Sequence, residues 1–228
     1  MLTVMSETTG TRRGTTLGRN LSGAAREFWR HPSPWLLGAG ALGALAARVV
    51  VGDWQPVDVV VPFAVAAAFP FFEWMIHVFV LHWRPRRIGR VTVDPLLARK
   101  HREHHIAPRD VDLVFIPLPS VIGALASATL IALLAFPRTG MGLTFLATIL
   151  AFGVVYEWCH YLIHTDYKPK SAVYRALWRD HRLHHFKNEH YWFGVTTPGT
   201  ADRMLGTYPD PTSVPTSPTA MNLHAAAG

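Results

Sequence analysis

Cysteine and charged residues are both scarce in this sequence. The 228-residue chain has a single cysteine, Cys159, which excludes a disulfide framework within the chain and any cysteine-rich zinc site. Charged residues make up 16% of the chain, whereas roughly 25% is usual in soluble domains. Half of the residues are hydrophobic, which excludes an intrinsically disordered chain. No apolar segment follows the early arginines, so a cleaved signal peptide is not expected. Any metal site must therefore use histidine and carboxylate ligands.

Four long apolar stretches lie near residues 35–51, 57–83, 113–136 and 143–164. A helix needs about 20 apolar residues to cross the roughly 30 Å hydrocarbon layer of a membrane. The alternative is a buried soluble core, which stretches of this length with almost no charge disfavour. We therefore predict an all-α integral membrane protein with about four transmembrane helices. Arg48, near the end of the first stretch, is expected to extend towards the membrane surface.

The basic residues are distributed unevenly around these stretches. Five lie in the N-terminal tail, eight in residues 84–109 and seven after the fourth stretch, while the two remaining loops are almost free of them. Because cytoplasmic loops carry the excess of lysine and arginine, both termini and the central segment are predicted to be cytoplasmic. The net charge of +7 then reflects topology and contact with anionic lipid. No basic module with interleaved aromatic residues indicates a nucleic-acid partner.

Composition also predicts the domain limits. We expect a basic, flexible N-terminal tail over residues 1–32 and a membrane-embedded domain over residues 33–207. Residues 208–228 are rich in Pro, Thr, Ser and Ala and are expected to form a disordered tail.

Histidine is unusually abundant, with thirteen residues, of which ten form four clusters. HVFVLH and HYLIH end the second and fourth apolar stretches, and HREHH and HRLHH follow them, so all four clusters lie at one membrane face. On a helix, HxxHH projects three imidazoles from one face and HxxxH projects two. The two histidines of HxxxxH are about 140° apart on a regular helix and need a bulge, a helix end or two different metals. The ten candidate ligands are His77, His82, His101, His104, His105, His160, His164, His181, His184 and His185.

Ten imidazoles exceed the four that one tetrahedral metal ion needs. Imidazole suits zinc, copper, iron and nickel, so the residues alone leave the metal open. The remaining histidines, His31, His190 and His224, are interpreted as ordinary polar residues, although the role of His190 stays open because it lies five residues after His185.

Four polar neighbours are candidates for supporting these ligands. Glu73 lies one helical turn before His77 in an apolar stretch, where a carboxylate is costly, so we expect it to orient the imidazole of His77 or of another ligand. Glu157 precedes His160 by three residues, the alternative being a salt bridge to a loop arginine. Asp180 directly precedes His181, the alternative being a surface charge on a helix. Asn188 completes the candidates.

The order HxxxxH, HxxHH, HxxxH, HxxHH resembles the pattern of the fatty acid hydroxylase superfamily, an integral-membrane group that includes sterol desaturases, methyl oxidases and carotenoid hydroxylases. The resemblance covers roughly residues 70–207. The segments HREHHIAPRDVDLVFIPLP, YEWCHYLIHTDY and HRLHHFKNEHYWFGVTTP resemble the fatty acid 2-hydroxylase branch. ADRMLGT is similar to a WDRLFGT-like family segment, with Ala201 where tryptophan is usual.

This resemblance implies a cytoplasmic helical cap in which the ten clustered histidines hold two iron ions. The implied reaction is O2-dependent hydroxylation of the acyl chain of a fatty acid or lipid taken from the bilayer. Zinc can occupy such a site in purified protein but has no redox chemistry. The cytochrome b5 domain of some family members does not occur in this sequence, so a separate electron donor of the cytochrome b5 or ferredoxin type is expected.

Three alternatives stay open at this point. One is a sterol or carotenoid hydroxylase or desaturase of the same superfamily. Another is a non-catalytic membrane metal-binding or metal-carrier protein, although a carrier needs polar groups near the middle of the membrane rather than at one edge. The last is an inactive family member with a structural metal, against which the complete set of ten ligands argues.

Overall fold

The computed structural model describes residues 20–225 of the chain. Within this range the chain forms nine α-helices and one two-stranded antiparallel hairpin. The helices are α1 (Leu21–Phe28), α2 (Pro32–Val51), α3 (Val60–Ile76), α4 (Leu96–Ile106), α5 (Val111–Val114), α6 (Leu118–Leu134), α7 (Thr139–Ile163), α8 (Ala172–Phe186) and α9 (Thr200–Met204). The hairpin pairs β1 (Arg86–Ile88) with β2 (Val91–Val93). The all-α prediction is confirmed, since the hairpin adds only two three-residue strands.

Four helical runs are long and apolar enough to cross a membrane: Pro32–Val51, Pro56–Leu81, Val111–Leu134 and Thr139–Ile163. They lie within a few residues of the four predicted stretches. The last of them, α7, contacts α2, α3 and α6. Leu37, Val121, Leu146 and Leu150 belong to the apolar core between these helices. Most of the remaining surface of the spans is apolar and exposed, as lipid contact requires.

The second span changes its helical geometry just before the cap. Residues His77–Leu81 form a π-helical turn that continues α3, with the amide of His82 donating to the carbonyl of His77 at 3.0 Å. The extra residue in this turn rotates His82 towards the face that carries His77. The bulge that the HxxxxH spacing requires is therefore present.

Arg48 extends towards the loop that follows its span, as expected, but its side chain is buried there between aspartates rather than exposed to solvent. Its side chain is 1% exposed and donates to Asp53, Asp58 and Thr144. Its guanidinium also stacks on Trp54, 3.6 Å from the ring centroid. Two carboxylates in the loop after α2 neutralise the arginine, so burial is compensated and the side chain need not extend to water.

A helical cap lies at the opposite end of the spans, where α3 and α7 finish. Helices α4 and α8, which carry the two HxxHH motifs, build most of this cap together with the hairpin and α9. α4 contacts the π-helical turn, and α8 contacts α7. The cap therefore brings the four histidine clusters together above two of the spans.

The expectation of a disordered C-terminal tail is wrong for residues 208–225. This segment follows a series of turns against the cap. The amide of Ser217 donates to the carbonyl of Lys187 at 2.7 Å, and the imidazole of His224 lies 3.0 Å from the carbonyl of His82. A composition typical of disorder can still fold when its backbone groups find partners on a packed core.

The predicted flexible N-terminal tail falls partly outside the described residues, which begin at residue 20. Within the described part, α1 replaces the expected flexible segment because its apolar face is buried: Phe28 packs on Phe115, Trp158 and Tyr161. The domain limits as such stay a prediction.

Candidate metal centre

The ten predicted histidines form two groups of five. In each group, one nitrogen from every imidazole lies within 4.8 Å of the others. The first pentad is His77, His82, His101, His105 and His184. The second pentad is His104, His160, His164, His181 and His185. The pentads are adjacent, since the rings of His105 and His185 stack with their centroids 4.2 Å apart.

Each HxxHH helix contributes to both pentads. The first and last histidines of α4, His101 and His105, join the first pentad, whereas His104 joins the second. In α8 the division is reversed, with His184 in the first pentad and the i, i+4 pair in the second. On a helix, residues i and i+4 share one face, whereas residue i+3 projects to one side of that face. Two helices can therefore serve two sites at once.

Distances between the Nε2 atoms suit shared ligation of a metal ion. His101 and His105 lie 3.1 Å apart at Nε2, and His164 lies 3.0 Å from His181 and 3.2 Å from His104. Two imidazole nitrogens bound to one metal ion at about 2.1 Å each would be roughly 3.0–3.4 Å apart. The nitrogens therefore stand close to the spacing that ligation demands.

Backbone carbonyls orient four of the imidazoles. The Nδ1 atoms donate to carbonyl oxygens at 2.7 Å (His77 to Phe193), 2.7 Å (His105 to Ala220), 3.1 Å (His160 to Val114) and 2.9 Å (His184 to Tyr191). A carbonyl can only accept, so each Nδ1 carries the proton and each Nε2 keeps its lone pair for a metal. Among the described residues, the buried Nε2 atoms of His77 and His184 have no hydrogen-bond partner. Such unpartnered lone pairs fit a metal site.

Burial also keeps the cap histidines neutral. The pKa of His105 is lowered to about 4 because burial disfavours the charged imidazolium. Burial, with repulsion from neighbouring imidazoles, lowers the pKa well below its ordinary value for His82, His101, His104, His164, His181, His184 and His185. Neutral imidazole is the form that binds metal ions. The cap therefore presents a donor set that is ready for ligation.

Glu73 forms a hydrogen bond neither with His77 nor with another of the ten ligand imidazoles, so the expected direct contact with a ligand is not found. Its buried carboxylate accepts hydrogen bonds from the amides of Val195 and Thr196 and from the Thr196 hydroxyl. These donors lie in the loop 193–196, whose Phe193 carbonyl accepts from His77. The carboxylate binds this loop because the loop supplies three hydrogen-bond donors, whereas an imidazole would supply one. Glu73 therefore acts on the imidazole only through that loop.

Glu157 likewise contacts no ligand imidazole and, within the described residues, no arginine. Its carboxylate accepts from the Ser33 hydroxyl and from the Ile116 amide, both at 3.0 Å. Ile116 lies two residues after Val114, the carbonyl partner of His160. Glu157 thus holds the backbone next to Val114, whose carbonyl accepts from His160, and does not contact His160 itself.

Asp180 and Asn188 also lack direct contacts with the pentads. Asp180 is buried, rather than a surface charge, and binds Arg179 and the hydroxyl of Tyr208. The amide of Asn188 donates to the carbonyl of Pro215 at 3.2 Å. His190, whose side chain is 71% exposed, belongs to neither pentad.

Asp202 supports the site but is missing from the candidates chosen by sequence. Its buried carboxylate accepts from the amides of Phe193 and Gly194, each at 2.9 Å, and from the Thr207 hydroxyl. Asp202 and Glu73 therefore hold the same loop from two sides. In the sequence, the only indication of this role is that an aspartate occurs in ADRMLGT. Its partners lie eight and nine residues earlier, a spacing that does not correspond to one face of a helix. Ala201, in place of the usual tryptophan, is buried there.

Comparison with known proteins agrees with this arrangement. Residues 62–207 match the model of the family described as fatty acid hydroxylase. A dihydroceramide fatty acyl 2-hydroxylase of Arabidopsis thaliana is 29% identical over 183 residues, covering 80% of this chain and 73% of that protein. The fatty acid 2-hydroxylase of Homo sapiens is 32% identical over 128 residues, covering 55% of this chain but only 33% of that protein.

A solved structure shows the same fold. Full-length Scs7p, of which only the hydroxylase domain is visible, superimposes with a TM-score of 0.65 at 23% identity and covers 83% of this chain and 69% of that one. The family match spans well over half of the sequence and includes every histidine of both pentads. The chain is therefore a member of the fatty acid hydroxylase family.

Proposed function

We propose that this protein is a membrane-bound oxygenase that hydroxylates the acyl chain of a fatty acid or lipid. The observation that carries the proposal is the pair of adjacent, neutral, five-histidine groups at one end of four membrane-spanning helices. The named relatives in Arabidopsis thaliana and Homo sapiens are acyl 2-hydroxylases, which supports acyl chains over sterols or carotenoids as substrate.

In this proposal each pentad holds one iron ion, with the ten histidines as its ligands. The close Nε2 spacing and the unpartnered lone pairs of His77 and His184 support this assignment. Iron bound there would supply the redox chemistry for O2-dependent hydroxylation of a C–H bond, which zinc, having no redox chemistry, does not.

The protein's own groups would set the conditions for that reaction. Burial holds the cap imidazoles neutral, and the carbonyls of residues 114, 191, 193 and 220 fix which nitrogen faces the metal. His77 and His160 lie at the ends of two spans. An acyl chain can therefore reach the pentads from the bilayer without drawing its tail through water. We place the cap in the cytoplasm, where a separate donor of the cytochrome b5 or ferredoxin type would supply electrons.

Mass spectrometry of lipid extracts tests the function directly. Cells that express the protein should contain a lipid one oxygen atom heavier, and fragmentation should place the hydroxyl on the acyl chain. Cells that express the His104→Ala, His184→Ala double variant should lack this lipid, whereas His190→Ala, which changes an exposed histidine outside both pentads, should retain it. Equal amounts of the oxygenated lipid with the double variant would refute the proposal.

A further inference from the structure

We propose that residues 209–225 form a C-terminal strap that completes the first pentad, so that metal binding there depends on the strap while binding at the second pentad does not. The inference rests on the proposed metal centre and extends it. The strap lies entirely beyond residues 62–207, the part of the chain that the family model matches.

The middle of the strap is fastened to the segment that follows α8. The amide of Ser217 donates to the carbonyl of Lys187 at 2.7 Å. The hydroxyl of Thr219 donates to the carboxylate of Glu189, which is itself buried. Glu189 is a buried acid whose side-chain hydrogen bond comes from the strap, while the exposed imidazole of His190 lies 3.7 Å from the same oxygen. Detaching the strap would therefore remove the hydrogen bond of a buried carboxylate. This fastening is therefore more than a surface contact.

The strap then reaches the first pentad at two points. The carbonyl of Ala220, a residue that is 2% exposed, accepts from Nδ1 of His105 at 2.7 Å. This bond commits Nε2 of His105 to the pentad, where it lies 3.1 Å from Nε2 of His101. Four residues later, the imidazole of His224 donates to the carbonyl of His82 at 3.0 Å. The strap thus orients one ligand and holds the backbone of another.

The second pentad has no comparable dependence. In the described range, residues 20–225, none of its five histidines forms a hydrogen bond with the strap. His160 is oriented by the carbonyl of Val114 on α5, and the close nitrogen–nitrogen contacts of this pentad run between its own imidazoles. Within that range, its one stacking contact with a strap-oriented ligand is that of His185 on the ring of His105. The two pentads should therefore respond differently when the strap is loosened.

Two full-length variants would loosen the strap. Thr219→Val removes the hydroxyl that binds Glu189 and keeps the side-chain volume. Leu223→Asp places a carboxylate where a buried leucine now lies between Ala220 and His224. Loss of a group that orients a metal ligand typically lowers metal affinity 10–100-fold. Ser213→Ala is the matched control, because its exposed hydroxyl donates to the carbonyl of Asp210 within the same turn and, in the part of the chain that the structure describes, to no other group.

The experiment measures zinc bound per chain. Each protein, in lipid nanodiscs, is stripped with a chelator, reloaded with Zn²⁺ and washed with a weak chelator before elemental analysis. Wild type and Ser213→Ala should keep about two ions per chain; Leu223→Asp should keep about one, and Thr219→Val should bind its weaker ion about tenfold less tightly. Because a ligand stabilises the structure that binds it, Zn²⁺ should also slow amide exchange across residues 217–224 of the wild type.

The possible results separate the strap from the metal centre. Two tightly bound ions in both strap variants, or amide exchange in residues 217–224 that ignores Zn²⁺, would overturn the strap. If Thr219→Val lost both ions, the claim that the strap acts on the first pentad alone would be overturned. A wild type that binds no zinc would overturn the proposed metal centre, and the strap proposal with it.

Discussion

The direction of an imidazole is set by the acceptor that its Nδ1 finds. His77, His105 and His184 of the first pentad each donate to a carbonyl in the chain after α8, at residues 193, 220 and 191. In the second pentad, His160 donates to the carbonyl of Val114, before α6. The two pentads are thus supported by different parts of the chain, although the same two helices supply ligands to both.

Single substitutions in the two pentads should each remove one metal ion. His104 belongs to the second pentad and His184 to the first. We expect His104→Ala and His184→Ala each to retain about one ion per chain where wild type retains about two, since each pentad would lose a ligand. His190→Ala should retain both, because this exposed imidazole lies outside both pentads and 3.7 Å from Glu189 at its nearest charged contact, beyond hydrogen-bond distance. Elemental analysis of purified protein measures this, and unchanged metal content in either ligand variant would mean that the histidine is structural.

Glu73→Gln should weaken the first pentad through the loop 193–196. The variant keeps the shape but loses the charge that accepts from two amides and a hydroxyl, so the Phe193 carbonyl should hold His77 less firmly. We expect metal retention or turnover to fall about 10–100-fold, and Glu73→Ala to be worse. Metal titration and lipid turnover measure it. Thr196→Ser, which keeps the hydroxyl, is the control, and a fully active Glu73→Gln with normal metal content would remove Glu73 from the site.

At the scale of elements, the spacing of the histidines correctly predicted the features that depend only on residues close in sequence. The HxxHH spacing required two helices with three imidazoles on one side, and α4 and α8 have them. The HxxxxH spacing required a bulge, and the π-helical turn provides it. The partners of Glu73 lie more than 120 residues away. The spacing of residues along a helix cannot predict these partners, because the contact depends on how the cap packs on the spans.

Composition also could not predict that the C-terminal segment is ordered, because its contacts too are made with residues distant in sequence. Its Pro, Ser and Thr content gives little apolar surface to bury, yet its anchors are backbone groups and hydroxyls that meet partners on α4 and after α8. Arg48 is a similar case, since Asp53 and Asp58 are close in sequence but their convergence on one guanidinium depends on the turn between α2 and α3.

The Arg48 cluster should be important for stability because it joins the ends of three spans. Arg48 connects α2 to Asp58 before α3 and to Thr144 on α7. Removing one partner of a buried ion pair typically costs about 3–5 kcal/mol when the remaining charge is uncompensated. Here Arg138 stays as a partner of both aspartates, so the cost should lie below that range. We expect Arg48→Ala to lower the melting temperature in detergent strongly, and Arg109→Ala, whose ion pair is exposed, to change it little. Equal melting temperatures would contradict a stabilising cluster.

The buried histidines of α4 and α8 should make the metal-free protein sensitive to acid. Their pKa values in the folded state lie below the unfolded value of about 6.5, at about 4 for His105. The unfolded chain therefore binds more protons at mildly acidic pH, so stability is complete above about pH 6.5 and decreases as the pH falls below it.

Thermal unfolding of chelator-treated protein between about pH 7.5 and pH 5.5 measures this effect. The melting temperature should fall with pH, and the metal-loaded protein should resist until protons displace the metal. A melting temperature of the metal-free protein that does not change over this range would show that these imidazoles are not buried in the neutral form.

On the scale of the whole molecule, the two ends of the spans differ in charge chemistry. The end that carries the pentads also carries the hairpin, where Arg84, Arg86, Arg87 and Arg90 are exposed. At the other end, Arg48 and Arg138 are bound to aspartates. Among residues 20–225, basic residues outside ion pairs thus concentrate at the metal end, and the distribution rule for lysine and arginine predicts that this end is cytoplasmic.

Cysteine labelling in intact cells tests this orientation. On a Cys159→Ser background, Arg90→Cys would place one thiol at the hairpin tip, and Thr139→Cys would place one at the start of α7, at the opposite end of the spans; both positions are exposed. If the cap is cytoplasmic, a membrane-impermeant maleimide should label Thr139→Cys in intact cells and Arg90→Cys only after lysis. The hairpin begins five residues after the second span ends, too few to cross back through about 30 Å of hydrocarbon as a helix, so its label reports the side of the pentads. Labelling of Arg90→Cys from outside intact cells would place the metal centre and its electron donor on the other face of the membrane.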